Sequence, residues 1–259
     1  MIPVALTIAG SDPGGGAGIQ ADLKTFHRFG VYGTAALTLI TVQNTVRLSR
    51  SEVLDAGLVR QQIEAILEDF VPGAVKTGAL GNEAVVRAVA GIAFPCPLVI
   101  DPVMLSSSGA PLLDRAARRA FCDLLLPRAA LVMPNLGEAA ELSGVEVTNP
   151  DQMRLAAVRI ADLGPKAVLV KGGHLAEGDA LDILWVDGNF HEFRSPRIRT
   201  RHTHGTGCTY SAAVTALLAI GFDLQTAVGK AKSFVTEAIR TAPGLGAGAG
   251  PLNHHADSL

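Results

Sequence analysis

Residues 4–42 read VALTIAGSDPGGGAGIQADLKTFHRFGVYGTAALTLITV. Val4–Ala9 is an apolar run of strand length, and it breaks off into the glycine-rich segment Gly10–Gly18. Gly18–Phe29 is amphipathic at helical spacing, and Ala35–Val42 is a second strand-like run. Strand, helix and strand in that order predict a right-handed βαβ unit with parallel strands.

The pattern repeats outward. Further strands are expected at Ala74–Lys76, Leu98–Asp101, Leu131–Met133 and Ala167–Val170, with helices at Asp55–Phe70, Asn82–Ile92, Asp114–Leu125 and Asp151–Leu163. Leu58, Ile63, Ile66 and Leu67 show the helical recurrence that buries one face. At Leu181–Val186 and Phe190–Phe193 two short runs flank Asp187-Gly188-Asn189, which predicts a hairpin at an antiparallel sheet edge. Helices Thr206–Ile220 and Leu224–Thr241 follow. The Gly- and Ala-rich tail Pro243–Pro251 has no periodicity and is expected either to move or to wrap over something, and nothing in the chain marks a linker, so 1–259 is expected to be one α/β domain.

Composition narrows the function. With 22 Lys and Arg against 24 Asp and Glu, the net charge of −2 offers no basic field for nucleic acid or an anionic membrane. Three cysteines, Cys96, Cys122 and Cys208, lack C-x-x-C spacing, which argues against a disulfide framework or a zinc site and for a reducing cytoplasm. The apolar start has no positively charged flank and reads as a strand, and Tyr210–Phe222 is too short to cross a bilayer. Small-molecule partners are expected.

Sheets of this kind bind ligands beyond the carboxyl ends of their strands. There the chain places Gly10–Gly18, Gln43-Asn44-Thr45, Asp101-Pro102-Val103-Met104, Pro134-Asn135-Leu136-Gly137-Glu138 and Lys171-Gly172-Gly173-His174. Each alone could be an ordinary solvated loop; five together point to a site. His204-Gly205-Thr206-Gly207-Cys208-Thr209 runs directly into a helix, so its free N–H groups could hold an anion, the alternative being a structural cap by Thr206. Cys208, in the first helical turn, is expected to have a lowered pKa and to serve as a proton acceptor, while Cys96 and Cys122 read as fillers. The P-loop pattern and an in-register G-x-G-x-x-G are both missing.

ALTIAGSDPGGGAGIQADLKTF, TVQNT, KTGAL, DPVM, MPNLGEAAEL, VKGGHL and HGTGCTYSAAV, taken together, resemble the hydroxymethylpyrimidine/phosphomethylpyrimidine kinases of thiamin biosynthesis, within the ribokinase-like superfamily. The resemblance runs nearly end to end. It implies a ribokinase-like three-layer αβα sandwich with a mainly parallel central sheet and an antiparallel edge hairpin. It also implies ATP and Mg2+, a cytoplasmic homodimer, and two successive phosphorylations of 4-amino-5-hydroxymethyl-2-methylpyrimidine.

Position by position, it implies that Gln43 and Gly10 contact the pyrimidine, Val42, Ala79 and Val103 wall it, and Asp12 supports its loop or acts as a structural cap. Gly205, Thr206, Gly207 and Cys208 would form the anion hole, with Cys208 as base. Asp101, Asn135 and Glu138 would position Mg2+, and Lys171 would neutralise the phosphates. His202, where the family more often has Asn, and Gly137, where Pro is common, depart from the pattern. A pyridoxal or pyridoxine kinase of the same fold and a non-catalytic pyrimidine sensor are the alternatives.

Overall fold

In the computed structural model, which describes residues 2–104, 113, 115–175 and 178–257, alternate residues of each strand face opposite helical layers. In β5 (Leu98–Ile100), Leu98 and Ile100 join one core and Val99 the other; in β7 (Ala167–Gly172), Val168 and Val170 separate in the same way from Ala167 and Leu169. That alternation, with every one of these side chains buried, is what a strand covered on both faces requires.

The other strands are β1 (Val4–Ser11), β2 (Tyr32–Gln43), β3 (Leu48–Val53), β4 (Ala74–Thr77), β6 (Leu131–Val132), β8 (Ala180–Val186) and β9 (Asn189–Ser195). They form a single sheet in the order β3-β2-β1-β4-β5-β6-β7-β8-β9. Neighbours from β2 to β7 are parallel, and β3, β8 and β9 are antiparallel to the strands they join.

Helices α2 (Ala56–Asp69), α3 (Glu83–Ala90), α4 (Arg115–Ala120), α5 (Leu136–Ser143) and α6 (Pro150–Ala161) contribute to one core. Helices α1 (Gly18–Arg28), α7 (Thr206–Ile220) and α8 (Leu224–Arg240) cover the opposite face. The result is the expected three-layer αβα sandwich. α7 lies between α1 and α8, which is why its residues Thr209–Leu217 are buried without a polar face. No helix among the described residues is long and apolar enough to cross a membrane.

The structure departs from the sequence reading at three places. β3 was not foreseen: Ser49, Arg50, Ser51 and Glu52 are exposed, and such a polar edge strand carries no apolar alternation. The sheet therefore has antiparallel strands at both edges. The segment after β6 is not a plain loop, because Asn135 and Glu138 make a reciprocal capping box that starts α5. The helix expected from Asp114 begins outside the described residues at its first position, and α4 passes into a π-helical turn at Phe121–Leu125. The hairpin is as read, with Asp187 (φ 49°) and Gly188 (φ 77°) supplying the left-handed pair of a tight turn.

The Gly- and Ala-rich tail wraps. Gly248 N–H donates to Thr45 Oγ1 (3.1 Å), Ala249 N–H to the Thr45 carbonyl (2.9 Å), and Gly250 N–H to His202 Nδ1 (3.2 Å). His202, unusual by resemblance, thus anchors the tail.

Candidate active site

The carboxyl ends of β1, β2, β4, β5 and β7 open into a cavity of about 580 Å³. It is lined by Gly10, Asp12, Gln43, Ala79, Val103, Asp101, Asn135, Glu138, Lys171, Gly205, Thr206, Gly207 and Cys208, so every residue singled out from sequence is there except Val42. Val42 is 55% exposed. On a strand, residues two apart share a face, so the partner of Gln43 is Thr41, which does line the cavity. The register of β2 against β3 shifts between Val42 and Gln43, where Ser49 of β3 is the extra residue of a bulge.

Gly10–Gly18 is held from inside by Asp12. Its Oδ1 accepts from Gly14 N–H (2.8 Å), and its Oδ2 accepts from Gly16 N–H (3.0 Å) and Ala17 N–H (2.9 Å) and pairs with His204 Nε2 (2.8 Å). Burial pushes this carboxyl up, but His204 and the backbone donors outweigh it and hold it below the usual range. Asp12 therefore organises the loop from the wall of the cavity.

The first turn of α7 is a cradle. Gly205 is its N-cap at φ 81°, and a Cβ there would fall 1.8 Å from the Gly16 carbonyl oxygen, so only glycine fits. Thr206 Oγ1 (2.7 Å) and Thr206 N–H (3.2 Å) both donate to the Thr203 carbonyl, which fixes the turn, and α7 has no side-chain cap, so the N–H groups of Gly207 and Cys208 in its first turn are the ones available to an anion. A Cβ on Gly207 would lie 3.3 Å from Lys171 Nζ and 3.5 Å from Asp101 Oδ2. The space that glycine leaves is where a phosphoryl group would meet both the helix N-terminus and a cation.

Lys171 Nζ pairs with Asp101 Oδ1 (2.9 Å). Burial pushes this ammonium down, but the Asp101 and Glu138 carboxylates hold it above the ordinary lysine range. Glu138 is pushed up to about 7, first by burial and then by Asp101, against the pull of Lys171 and backbone donors. Asn135 Oδ1 accepts from Glu138 N–H (3.0 Å), so Asn135 first serves as the cap of α5 and Asp101 and Glu138 are the charged oxygen donors. Among the described residues no three His, Cys, Asp or Glu converge as a metal cage. Two carboxylates with an excess of negative charge suit Mg2+, which keeps several waters and binds substrate phosphates.

Cys208 corrects an expectation. Its thiol is pushed up to about 12, not down: burial dominates, Lys76 opposes it, Asp22 and Asp101 reinforce it, and a hydrogen bond from Gly18 N–H opposes it. Beneath it lies an ion pair that sequence reasoning missed, Lys76 Nζ to Asp22 Oδ1 (2.7 Å), both side chains 0% exposed. Thr7 Oγ1 donates to the other Asp22 oxygen (2.6 Å). A second missed pair, Lys232 to Asp182 (2.7 Å), lines the far half of the cavity beside the apolar Ile198, Val235 and Ile239. The readable signal was a charged residue within an apolar strand or helix face.

A mostly parallel αβα sandwich with a glycine N-terminal cradle, a lysine and two carboxylates at one cleft is the architecture of a ribokinase-like small-molecule kinase. The sequence profile of the phosphomethylpyrimidine kinase family matches residues 12–253. The chain is 46% identical over 257 residues to the hydroxymethylpyrimidine/phosphomethylpyrimidine kinase of Synechococcus elongatus, covering 98% of this chain and 97% of that one. It is 45% identical over 252 residues to a thiamine biosynthesis bifunctional protein of Geobacter sulfurreducens, covering 96% of this chain but spanning 51% of the relative's length. Among solved structures, the pyridoxal kinase from Staphylococcus aureus in complex with AMP-PCP and pyridoxal superposes with a TM-score of 0.91 at 36% identity, covering 99% of this chain and 94% of that one. The chain belongs to the phosphomethylpyrimidine kinase family.

Proposed function

We propose that this protein transfers the γ-phosphoryl group of ATP to the hydroxymethyl group of 4-amino-5-hydroxymethyl-2-methylpyrimidine, and then phosphorylates the monophosphate to the diphosphate, in thiamin biosynthesis. The observation that carries this reading is the placement of Gln43 and the Gly205–Cys208 cradle in one cavity with Lys171. Gln43 offers a donor and an acceptor to an aminopyrimidine edge, between Gly10, Thr41, Ala79 and Val103. The apolar half with Lys232 and Asp182 remains for the nucleotide.

Phosphoryl transfer depends mainly on positioning and charge stabilisation. Here the α7 N-terminus and Lys171 hold the transferring group, Asp101 orients Lys171, and Cys208 sits where the acceptor hydroxyl must lose its proton. Mg2+, held by Asp101 and Glu138, would supply charge neutralisation between phosphates. The same reading includes a cytoplasmic homodimer; a monomer mass by light scattering would remove the dimer.

The deciding experiment is mass spectrometry of the products formed from ATP, Mg2+ and the pyrimidine alcohol. Mono- and diphosphate are expected. Turnover of pyridoxal alone would favour a pyridoxal kinase, and binding without ADP release would favour a sensor.

Gln43→Leu is expected to lower kcat/KM for the pyrimidine by roughly 10- to 100-fold, since an unpaired polar edge in a dry pocket costs about 1–3 kcal/mol. Background ATP hydrolysis should be unchanged. An unaltered kcat/KM would remove Gln43 from the site.

Glu138→Gln is expected to raise the Mg2+ requirement and, separately, to stabilise the ligand-free protein at pH 8. A folded-state pKa of about 7 above the ordinary carboxylate value means that the folded state holds the proton longer. Stability is therefore lost as pH rises toward 7, and glutamine avoids that loss while still accepting from Asn135 N–H. A lower Tm for the variant at pH 8 would contradict this.

A further inference from the structure

We infer that His204, through its hydrogen bond to Asp12, is a positioning residue that locks the glycine-rich loop to the phosphate cradle, so that the acceptor side and the phosphoryl side of the cavity are set as one unit.

Three contacts converge on this point. The His204 ring reaches Asp12 Oδ2 at 2.8 Å, the same oxygen that accepts from Gly16 and Ala17 N–H. The next residue, Gly205, begins α7 pressed so closely on the Gly16 carbonyl that no Cβ fits between them. On its other side, His204 N–H donates to the Gly250 carbonyl (3.2 Å), and the tail carrying Gly250 is bonded to Thr45, two residues beyond Gln43. A shift of His204 would therefore be felt at Gly14–Ala17, at Gly205–Cys208 and at the tail together.

The Asp12 carboxylate is filled by four donors, three from the loop and one from the α7 side. That division of donors is what couples the two segments. Removing the fourth donor frees the cradle from this carboxylate and leaves the carboxylate itself less firmly held, so the three loop bonds to it loosen at the same time. The expected consequence falls on kcat more than on substrate affinity, because a misplacement of about 1 Å matters most where the transferring group must meet its partners.

The kcat part of the test rests on the kinase reading; an exchange part does not. His204→Leu removes the ring's hydrogen bond, and His204→Gln keeps an amide donor near the Nε2 position. In H204L, amide hydrogen exchange is expected to accelerate together at the bonded amides of both segments, Gly14, Gly16 and Ala17 on the loop and Thr206 and Thr209 on the cradle, with kcat down at least tenfold and KM for the pyrimidine within about threefold. H204Q is expected to restore both readouts to within about threefold. Exchange unchanged in H204L, or acceleration in one segment only, would overturn the coupling whatever the substrate proves to be. A kcat within twofold of wild type despite joint acceleration would overturn the positioning role. Should H204L fail to fold, H204Q decides: a near-native kcat supports the inference, and a tenfold loss with native exchange overturns it. Failure of the kinase reading would show instead as wild-type protein that makes no phosphorylated pyrimidine.

Discussion

Cys208→Ala is expected to lower kcat by roughly 10²–10⁴, the range for loss of a general base, while ATP and pyrimidine binding stay within a few fold. The pH profile makes the expectation sharper. Burial lifts the Cys208 thiol to about 12 against the pull of Lys76 and the Gly18 N–H. Around neutrality the ligand-free protein therefore holds a thiol, and its thiolate fraction grows about tenfold per pH unit. Since kcat/KM reports ionisations of the free enzyme, it should climb from about pH 6 to about pH 9 without levelling. Cys208→Asp should move that rise downward, because a carboxyl group ionises at lower pH than a thiol. Alkylation of Cys208 should be slow at pH 7, with a midpoint above the ~8.5 of an unperturbed cysteine. A flat profile with near-native kcat in the alanine variant would leave the backbone cradle as the turn's whole contribution, with the acceptor proton leaving late to phosphate or water.

The thiol shows where sequence reasoning stops. That Cys208 opens a helix was legible, because polar glycine-containing sequence runs straight into an apolar helix. The helix N-terminus favours thiolate, but the desolvation that outweighs it depends on how α7 packs between α1, α8 and the sheet, which no local pattern encodes. The same division runs through the site. Loops after strands were legible because glycine and polar residues follow short apolar runs, and that picked out Gly10, Gln43, Asp101, Glu138 and Lys171, which line one cavity.

Thr41 was also legible, since period-two alternation from Gln43 selects it over Val42. The Asn135-x-x-Glu138 pattern likewise announces α5. β3 was not legible, because an exposed edge strand is defined by its hydrogen-bonding partner and its side chains carry little signal. Lys76 and Asp22 were individually visible as charges in apolar surroundings; their pairing joins residues 54 apart and needed the tertiary structure.

That pair carries the second large expected effect. Lys76→Met should destabilise the protein by about 3–5 kcal/mol, because it strips the counter-ion from the Asp22 carboxyl, which burial already pushes up, and leaves the Thr7 hydroxyl to hold it. For a chain of this size the corresponding fall in Tm is roughly 10 °C. Burial pushes the Lys76 ammonium down, but Asp22, with Cys208 and Asp101, holds it above the ordinary range, so the lysine is charged in the native state. Replacing the whole group by Lys76→Met, Asp22→Leu and Thr7→Val together should recover most of the loss, since an apolar set of similar volume avoids the desolvation of both ions and of the Thr7 hydroxyl. Activity should not recover with stability. Lys76 is the strongest of the groups that favour the Cys208 thiolate and outweighs Asp22, which disfavours it, so removing both leaves the thiol harder to ionise. A triple variant with native Tm and native kcat/KM would show that the pair serves folding alone; a native Tm with depressed kcat/KM would show that its charge reaches the cleft.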